Sequence, residues 1–157
     1  MNRIGLSYVI NICILAIASW AFVEYFHVIM DLANIIRTEK QTWTVTMNIT
    51  PIILILIIAV GVFIGYKAQK KKYKKLSFWT FPLLFPNEDE REEILTAKAC
   101  RTTLLSLWFI MPFAAALLVF YPLFNRNIPE YPLYVLFFVL LIQITIFHIS
   151  LYRNKVV

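Results

Sequence analysis

Four long apolar stretches, separated by polar segments, dominate the hydropathy pattern of the chain. They cover about residues 4–23, 49–66, 104–124 and 131–151, and the first has no charged side chain. About 20 helical residues, each rising about 1.5 Å, cross a hydrocarbon core of roughly 30 Å. The pattern therefore predicts an all-α fold, a four-helix transmembrane bundle that forms one integral membrane domain over residues 1–157.

Two of the predicted helices continue beyond the membrane. Val28, Ile29, Leu32, Ile35 and Ile36 recur at helical spacing, so the outer loop 24–48 is expected to begin as a continuation of the first span. Before the third span, the sequence after Asn87 is acidic, as expected for a helix start, and that helix should run through Lys98 and Arg101 into the membrane. The second outer connection, residues 125–130, is predicted to be a turn.

The composition agrees with lipid as the main solvent. Hydrophobic residues make up 61% of the 157 residues and charged residues 15%, whereas soluble domains are about half apolar and a quarter charged. The mean hydropathy is +0.73. Four spans of about 20 residues use roughly half of the chain, which leaves no room for a separate soluble catalytic domain.

The positive charges predict the orientation of the spans. If both termini are cytoplasmic, only three of the 15 Lys and Arg residues, namely Arg37, Lys40 and Arg126, lie outside. The other 12 (15 − 3) lie at the termini and in the inner loop, residues 67–103. Cytoplasmic loops carry an excess of Lys and Arg, so a multi-pass protein of the cell membrane with both termini inside is expected. The net charge of +6 is explained by these membrane flanks, and we expect no nucleic-acid partner.

The inner loop joins a basic segment to an acidic one through an aromatic, amphipathic stretch, residues 76–86. The basic patch is expected to contact anionic lipid headgroups. The acidic segment is a possible partner surface, with a solvated helix start as the alternative. The basic patch consists of Lys67, Lys70, Lys71, Lys72, Lys74 and Lys75, and the acidic surface of Glu88, Asp89, Glu90, Glu92 and Glu93.

A few residues inside the spans are predicted to direct helix packing. Gly61 and Gly65 form a GxxxG pattern, which lets a second backbone approach closely. That second helix belongs either to the same bundle or to another molecule. Asn11 and Gln143 are expected at similar depth, where a hydrogen bond between them would orient the first and fourth spans. A polar track of Ser7, Asn11, Gln143, Thr145 and His148 would be the site of any solute pathway.

Outside the first span, Glu24, His27 and Asp31 form a polar stripe at helical spacing. A His four residues from a carboxylate can share a proton or a metal ion, but further ligands at defined spacing are missing, so a solvated helix face is the favoured interpretation. Cys13 and Cys100 lack metal-type spacing and are expected to be small buried hydrophobic residues. We expect no catalytic residue, no metal site and no cofactor.

The segment from Asp89 to Ala99, reading DEREEILTAKA, resembles an idiom, DERE followed by a spacer and KA, in small uncharacterised prokaryotic multi-pass membrane proteins. In those proteins it leads from a cytosolic loop into a transmembrane helix. Two functions remain open. The favoured one is a non-enzymatic membrane protein that acts through a membrane partner, as an accessory, immunity or stress-response protein. Across the two functions, the expected partner is a membrane protein or, in a homo-oligomer, further copies of the chain. The alternative is a small oligomeric transporter or channel subunit, and intramembrane acidic or basic residues, which mark carrier pathways, are missing from the spans.

Overall fold

The computed structural model describes residues 3–38, 48–72 and 90–156. Within them the chain forms α1 (Arg3–Thr38), α2 (Thr50–Lys72), α3 (Glu90–Val119), the short α4 (Tyr121–Phe124) and α5 (Tyr131–Val156), and no strand. The four long helices are each long and apolar enough to cross a membrane. The predicted all-α fold with four membrane spans is thus confirmed.

The long helices pack in the order α2, α1, α5, α3. The most extensive contacts are those of α5 with α3 and with α1, while α2 packs on α1. Because α5 has neighbours on two sides, it supplies several of the buried side chains, among them Val135, Phe147 and His148. The interfaces of α5 therefore hold the interior of the protein.

One stripe of α3 faces the bundle, and small residues mark it. Ala99 has no exposed surface and Ala114 is also buried, whereas Trp108 and Phe109 on the other side are 78% and 81% exposed. Small side chains let two membrane helices approach closely, because packing rather than a hydrophobic force holds them together in lipid. The exposed aromatic face of α3 is correspondingly the one that meets hydrocarbon.

The ends of the helices agree with the predicted extensions. α1 continues to Thr38 and α3 begins at Glu90, well before the predicted third span. The far end of that span differs from the prediction, because the helix stops at Val119 and resumes at Tyr121. Pro122 has no backbone N–H to continue the α-helical pattern. Around Phe120 the hydrogen bonds instead join residues three apart, Phe120 N to Leu117 O at 3.1 Å and Leu123 N to Phe120 O at 3.0 Å.

The prediction that both cysteines are buried is wrong. Cys13 and Cys100 are free thiols with exposed side chains. A small apolar side chain in a membrane-spanning helix needs no protein around it, since lipid is as apolar as a protein interior.

Candidate functional site

A cluster of polar side chains lies between α1 and α5, near the start of α1 and the end of α5. Ser7, Asn11 and His148 are buried, and Tyr8 and Thr145 flank them. We call these five residues the α1–α5 polar cluster. Helical spacing places Ser7, Tyr8 and Asn11 on one side of α1, while Thr145 and His148 project from α5 at the facing position.

Hydrogen bonds join the cluster across the two helices. The hydroxyl of Tyr8 lies 3.2 Å from Oγ1 of Thr145, and Nε2 of His148 lies 3.5 Å from Oγ of Ser7. The Tyr8 and His148 rings also contact each other, with centroids 5.2 Å apart. These contacts satisfy polar groups that would otherwise be unpaired in hydrocarbon, and they fix α1 against α5.

Bonds within each helix orient the same side chains. Nδ2 of Asn11 donates to the backbone oxygen of Ser7 at 2.9 Å, and Oγ1 of Thr145 donates to Leu141 O at 2.7 Å. Nδ1 of His148 lies 2.8 Å from Ile144 O, so it donates and Nε2 faces Ser7. At 3.5 Å the Ser7–His148 contact is longer than the hydrogen bond that activates a nucleophile. Chemically, the cluster can hold two helices together and bind a neutral polar group.

A groove of about 350 Å³ opens beside the cluster. A Cβ built on Gly5 would meet no atom within 4 Å, so the groove is open on that side. Its mixture of aromatic, hydroxyl and imidazole groups is suited to an uncharged polar solute. The lining residues are Ile4, Gly5, Tyr8, Thr145, His148, Ile149 and Tyr152.

Gln143 does not join this cluster. It lines a different groove, about 260 Å³, between α3 and α5, and its Nε2 is buried without a hydrogen-bond partner in the described chain. Asn11 bonds to Ser7 instead. The expected Asn11–Gln143 hydrogen bond is not formed, because Asn11 lies at the contact of α1 with α5, whereas Gln143 projects from α5 toward α3. The Gln143 groove is lined by Cys100, Thr103, Leu104, Leu107, Gln143, Ile144 and Phe147.

A side-chain contact that the sequence did not suggest joins α1 to the start of α5. Nε2 of His27 lies 2.9 Å from Oε1 of Glu130, with side chains 52% and 10% exposed. The backbone oxygen of Glu130 accepts from Leu133 N at 2.9 Å, so its carboxylate sits at the positive end of α5. In the stripe itself, Trp20 Nε1 donates to Glu24 Oε1 at 3.3 Å. Within residues 3–38, 48–72 and 90–156, no three His, Cys, Asp or Glu side chains form a group suited to a metal ion.

The two glycines of the α2 pair differ in exposure. Gly61 is exposed and Gly65 half-buried, and a Cβ built on Gly61 would meet no atom within 4 Å. A side chain at position 61 would therefore meet no other helix of the described chain. Packing through Gly61 and Gly65 stays a prediction, and at Gly61 it requires another molecule.

The inner loop is described only at its two ends. Lys67, Lys70 and Lys71 are exposed on the last turns of α2, and the ammonium groups of Lys67 and Lys70 lie 5.5 Å and 5.4 Å from the ring centroids of Phe63 and Tyr66. A cation above an aromatic ring is a favourable pair at a membrane boundary. Headgroup contact by the basic patch and partner contact by the acidic surface stay predictions. The side chains of Lys72, Lys74, Lys75, Glu88, Asp89 and Glu90 lie outside the described residues.

These features together define a polytopic helical membrane protein with neutral polar groups in its interior. The chain belongs to the family described as "Predicted membrane protein (DUF2178)", whose model matches residues 4–156. It is 34% identical over 145 residues, 92% of this chain and 90% of the relative, to a Bacillus subtilis protein named "Uncharacterized lipoprotein YgaO". No solved structure matches it. The family confirms a membrane location, and neither name states a reaction.

Proposed function

We propose that this protein is a non-enzymatic membrane protein that works by binding a partner membrane protein through its transmembrane helices. The observation that carries the proposal is the buried Nε2 of Gln143, which has no hydrogen-bond partner in the described chain. Water does not reach the hydrocarbon core to satisfy such a group. If the Gln143 side chain turns into the Gln143 groove, a helix of a partner seated there would supply the missing acceptor.

The shape and chemistry of the Gln143 groove support a helix as the occupant. Apart from Gln143 and Thr103, most of its lining is apolar, with Leu104, Leu107 and Phe147 among the lining residues. The hydroxyl of Thr103 donates to Ala99 O at 2.9 Å, so it offers no further donor to a ligand. A single amide donor in an apolar groove matches the way polar side chains join helices inside membranes.

A non-enzymatic role agrees with the chemistry of the α1–α5 polar cluster. Its groups are uncharged hydroxyl and amide groups and one imidazole, and the imidazole faces Ser7 at 3.5 Å. The contacts of the cluster hold α1 against α5, and α5 also lines the Gln143 groove.

Replacing Gln143 by leucine separates binding from folding. Gln143→Leu should lower the amount of partner retained in mild detergent about three- to thirtyfold, the value of one interhelical hydrogen bond of roughly 0.6–2 kcal/mol. The melting temperature of the isolated protein should stay equal or rise, because leucine removes an unpaired buried amide. Quantitative mass spectrometry of the co-purified proteins and thermal unfolding give the two readouts.

The matched control is Gln69→Leu, which removes an amide of α2 whose Oε1 is likewise buried and unpaired. Gln69 lies outside the Gln143 groove, so this variant should retain the partner. Full retention by Gln143→Leu, or equal loss in both variants, would show that the groove does not bind the partner.

The second candidate, a small oligomeric transporter subunit, is favoured by the α1–α5 polar cluster and the groove of about 350 Å³ beside it. This candidate requires several copies, because four helices enclose little space. A homo-oligomer that purifies without a second protein, and carries an uncharged solute across vesicles, would support it over the first. A stoichiometric partner would support the first.

Assembly through α2 gives a test of its own. In Gly61→Leu, the first atom of the new side chain meets no atom of the same molecule within 4 Å, so the melting temperature of the monomer should not fall. If copies meet at this glycine, the oligomer should dissociate, because leucine holds the second helix away. Size-exclusion chromatography with light scattering measures the change, and Ala59→Leu, at another exposed position of α2, is the control. An unaltered oligomer in both variants would mean that Gly61 faces lipid.

A further inference from the structure

A third groove, of about 330 Å³, lies between α3 and α5 where α5 ends. We call it the Arg153 groove. Apolar side chains line one part and polar side chains the other, and no contact described so far uses it. The lining residues are Thr102, Ile146, Ile149, Ser150, Arg153 and Asn154.

The groove is apolar toward the membrane centre and polar toward its boundary. From Ile146 to Arg153 the axis of α5 rises about 10 Å, so the isoleucines lie deeper than the arginine. A phospholipid has the same order, with acyl chains below a charged phosphate. The groove therefore matches a lipid molecule along its length.

Hydrogen-bond donors remain available at the polar end. Nδ2 of Asn154 donates to Ser150 O at 2.8 Å and to Ser150 Oγ at 3.3 Å, which uses both of its hydrogens. Because Ser150 Oγ accepts in this bond, its own hydroxyl hydrogen stays available. The hydroxyl of Thr102, by contrast, donates to Lys98 O at 3.0 Å. Together with the guanidinium of Arg153, the hydroxyl of Ser150 suits the oxygens of a phosphate.

Positive charge surrounds this end of the groove. Lys98 and Arg101 lie within one helical turn of Thr102 on α3, and both are exposed, as is Arg153. The nearest described acidic residue along α3 is Glu93, about 13 Å from Thr102 along the axis. That distance exceeds the roughly 8 Å over which surface charges act at physiological salt. The local field therefore attracts an anion.

From these observations we infer that the Arg153 groove binds one anionic phospholipid, with its phosphate at Arg153 and Ser150 and an acyl chain along Ile146 and Ile149. Basic pockets between transmembrane helices bind acidic headgroups in this way. The site is separate from the described lysines of the basic patch, Lys67, Lys70 and Lys71, because they lie on α2, which packs on α1 at the other edge of the bundle. It also differs from the Gln143 groove, which has a different set of lining residues.

Native mass spectrometry of the full chain with added phosphatidylglycerol or phosphatidylcholine tests the inference. The parent should bind one phosphatidylglycerol in preference to phosphatidylcholine. Arg153→Gln should weaken phosphatidylglycerol binding about fivefold, as expected for one basic residue at a membrane surface. Ser150→Leu, which fills the groove without changing charge, should also weaken it. If Ser150→Leu does not fold, Arg153→Gln decides alone, since Arg153 is exposed.

Lys71→Gln is the matched control, because it removes one exposed positive charge from α2 and should leave the bound lipid unchanged. Three results would overturn the inference. They are an unchanged affinity in Arg153→Gln, an equal loss in Lys71→Gln, and equal binding of the two lipids. An excess of inorganic phosphate distinguishes the source of the ligand. Phosphate should not displace the lipid, and complete displacement would make free phosphate the ligand and contradict the lipid site.

Discussion

Single cysteines introduced at Thr44 and at Lys71 will react with a membrane-impermeant maleimide from opposite sides of the membrane, Thr44 from outside. The reason is the distribution of positive charge, with three Lys and Arg residues on one predicted face and 12 of the 15 on the other. Moving such residues across a membrane during insertion is unfavourable, so they remain in the cytoplasm. The effect is all-or-none at each position, which makes it the largest expected here.

Intact and permeabilised cells supply the control for this experiment. Cys13 and Cys100 have exposed thiols, so both are first replaced by alanine. Lys71 is exposed at the end of α2, so a cysteine in its place should react with the maleimide only after permeabilisation. Labelling of both introduced cysteines in intact cells, or only of the one that replaces Lys71, would contradict the proposed orientation.

Replacing Ala99 by leucine should give the largest loss of stability. Ala99 has no exposed surface, so three additional carbon atoms must displace the neighbouring helix or strain its side chains. Overpacking of this kind costs about 1–3 kcal/mol. Thermal or denaturant unfolding in detergent measures the change in the free energy of unfolding.

Ala115→Leu is the matched control for Ala99→Leu. Ala115 lies on the same helix with an exposed side chain, so leucine there meets lipid and should leave stability unchanged. An equal loss at both positions would mean that the buried face of α3 does not determine its packing. Because α3 and α5 line both the Gln143 groove and the Arg153 groove, Ala99→Leu should also weaken partner and lipid binding.

The architecture could be predicted from the sequence because hydrocarbon imposes a strict condition on the backbone. Every N–H and C=O must be paired within the membrane, so a long apolar stretch such as residues 131–151 has to be a helix. The continuation of α1 to Thr38 could also be predicted, since apolar residues recur there at helical spacing. The packing order of the helices could not be predicted, because residues that face lipid and residues that face another helix are both apolar.

The polar contacts show the same limit. Ser7, Asn11, Thr145 and His148 were predicted as one track and they do meet, because polar groups in hydrocarbon need each other. Gln143 was assigned to the same track, since its depth was known but the direction of its side chain was not. The partner of His27 was missed because Glu130 lies far along the chain in a segment predicted to be a turn. No local pattern indicates such a pair.

Helix α1 is long enough to connect the two faces of the membrane as one continuous helix. Its 36 residues extend about 54 Å, nearly twice the thickness of a hydrocarbon core of roughly 30 Å. His27, bonded to Glu130 near one end, and Ser7, bonded to His148 near the other, are attached to the same rigid rod. A tilt of about 10° moves the tip of such a rod by about 9 Å relative to its base, so the contacts at the two ends of α1 cannot shift independently while the helix stays straight.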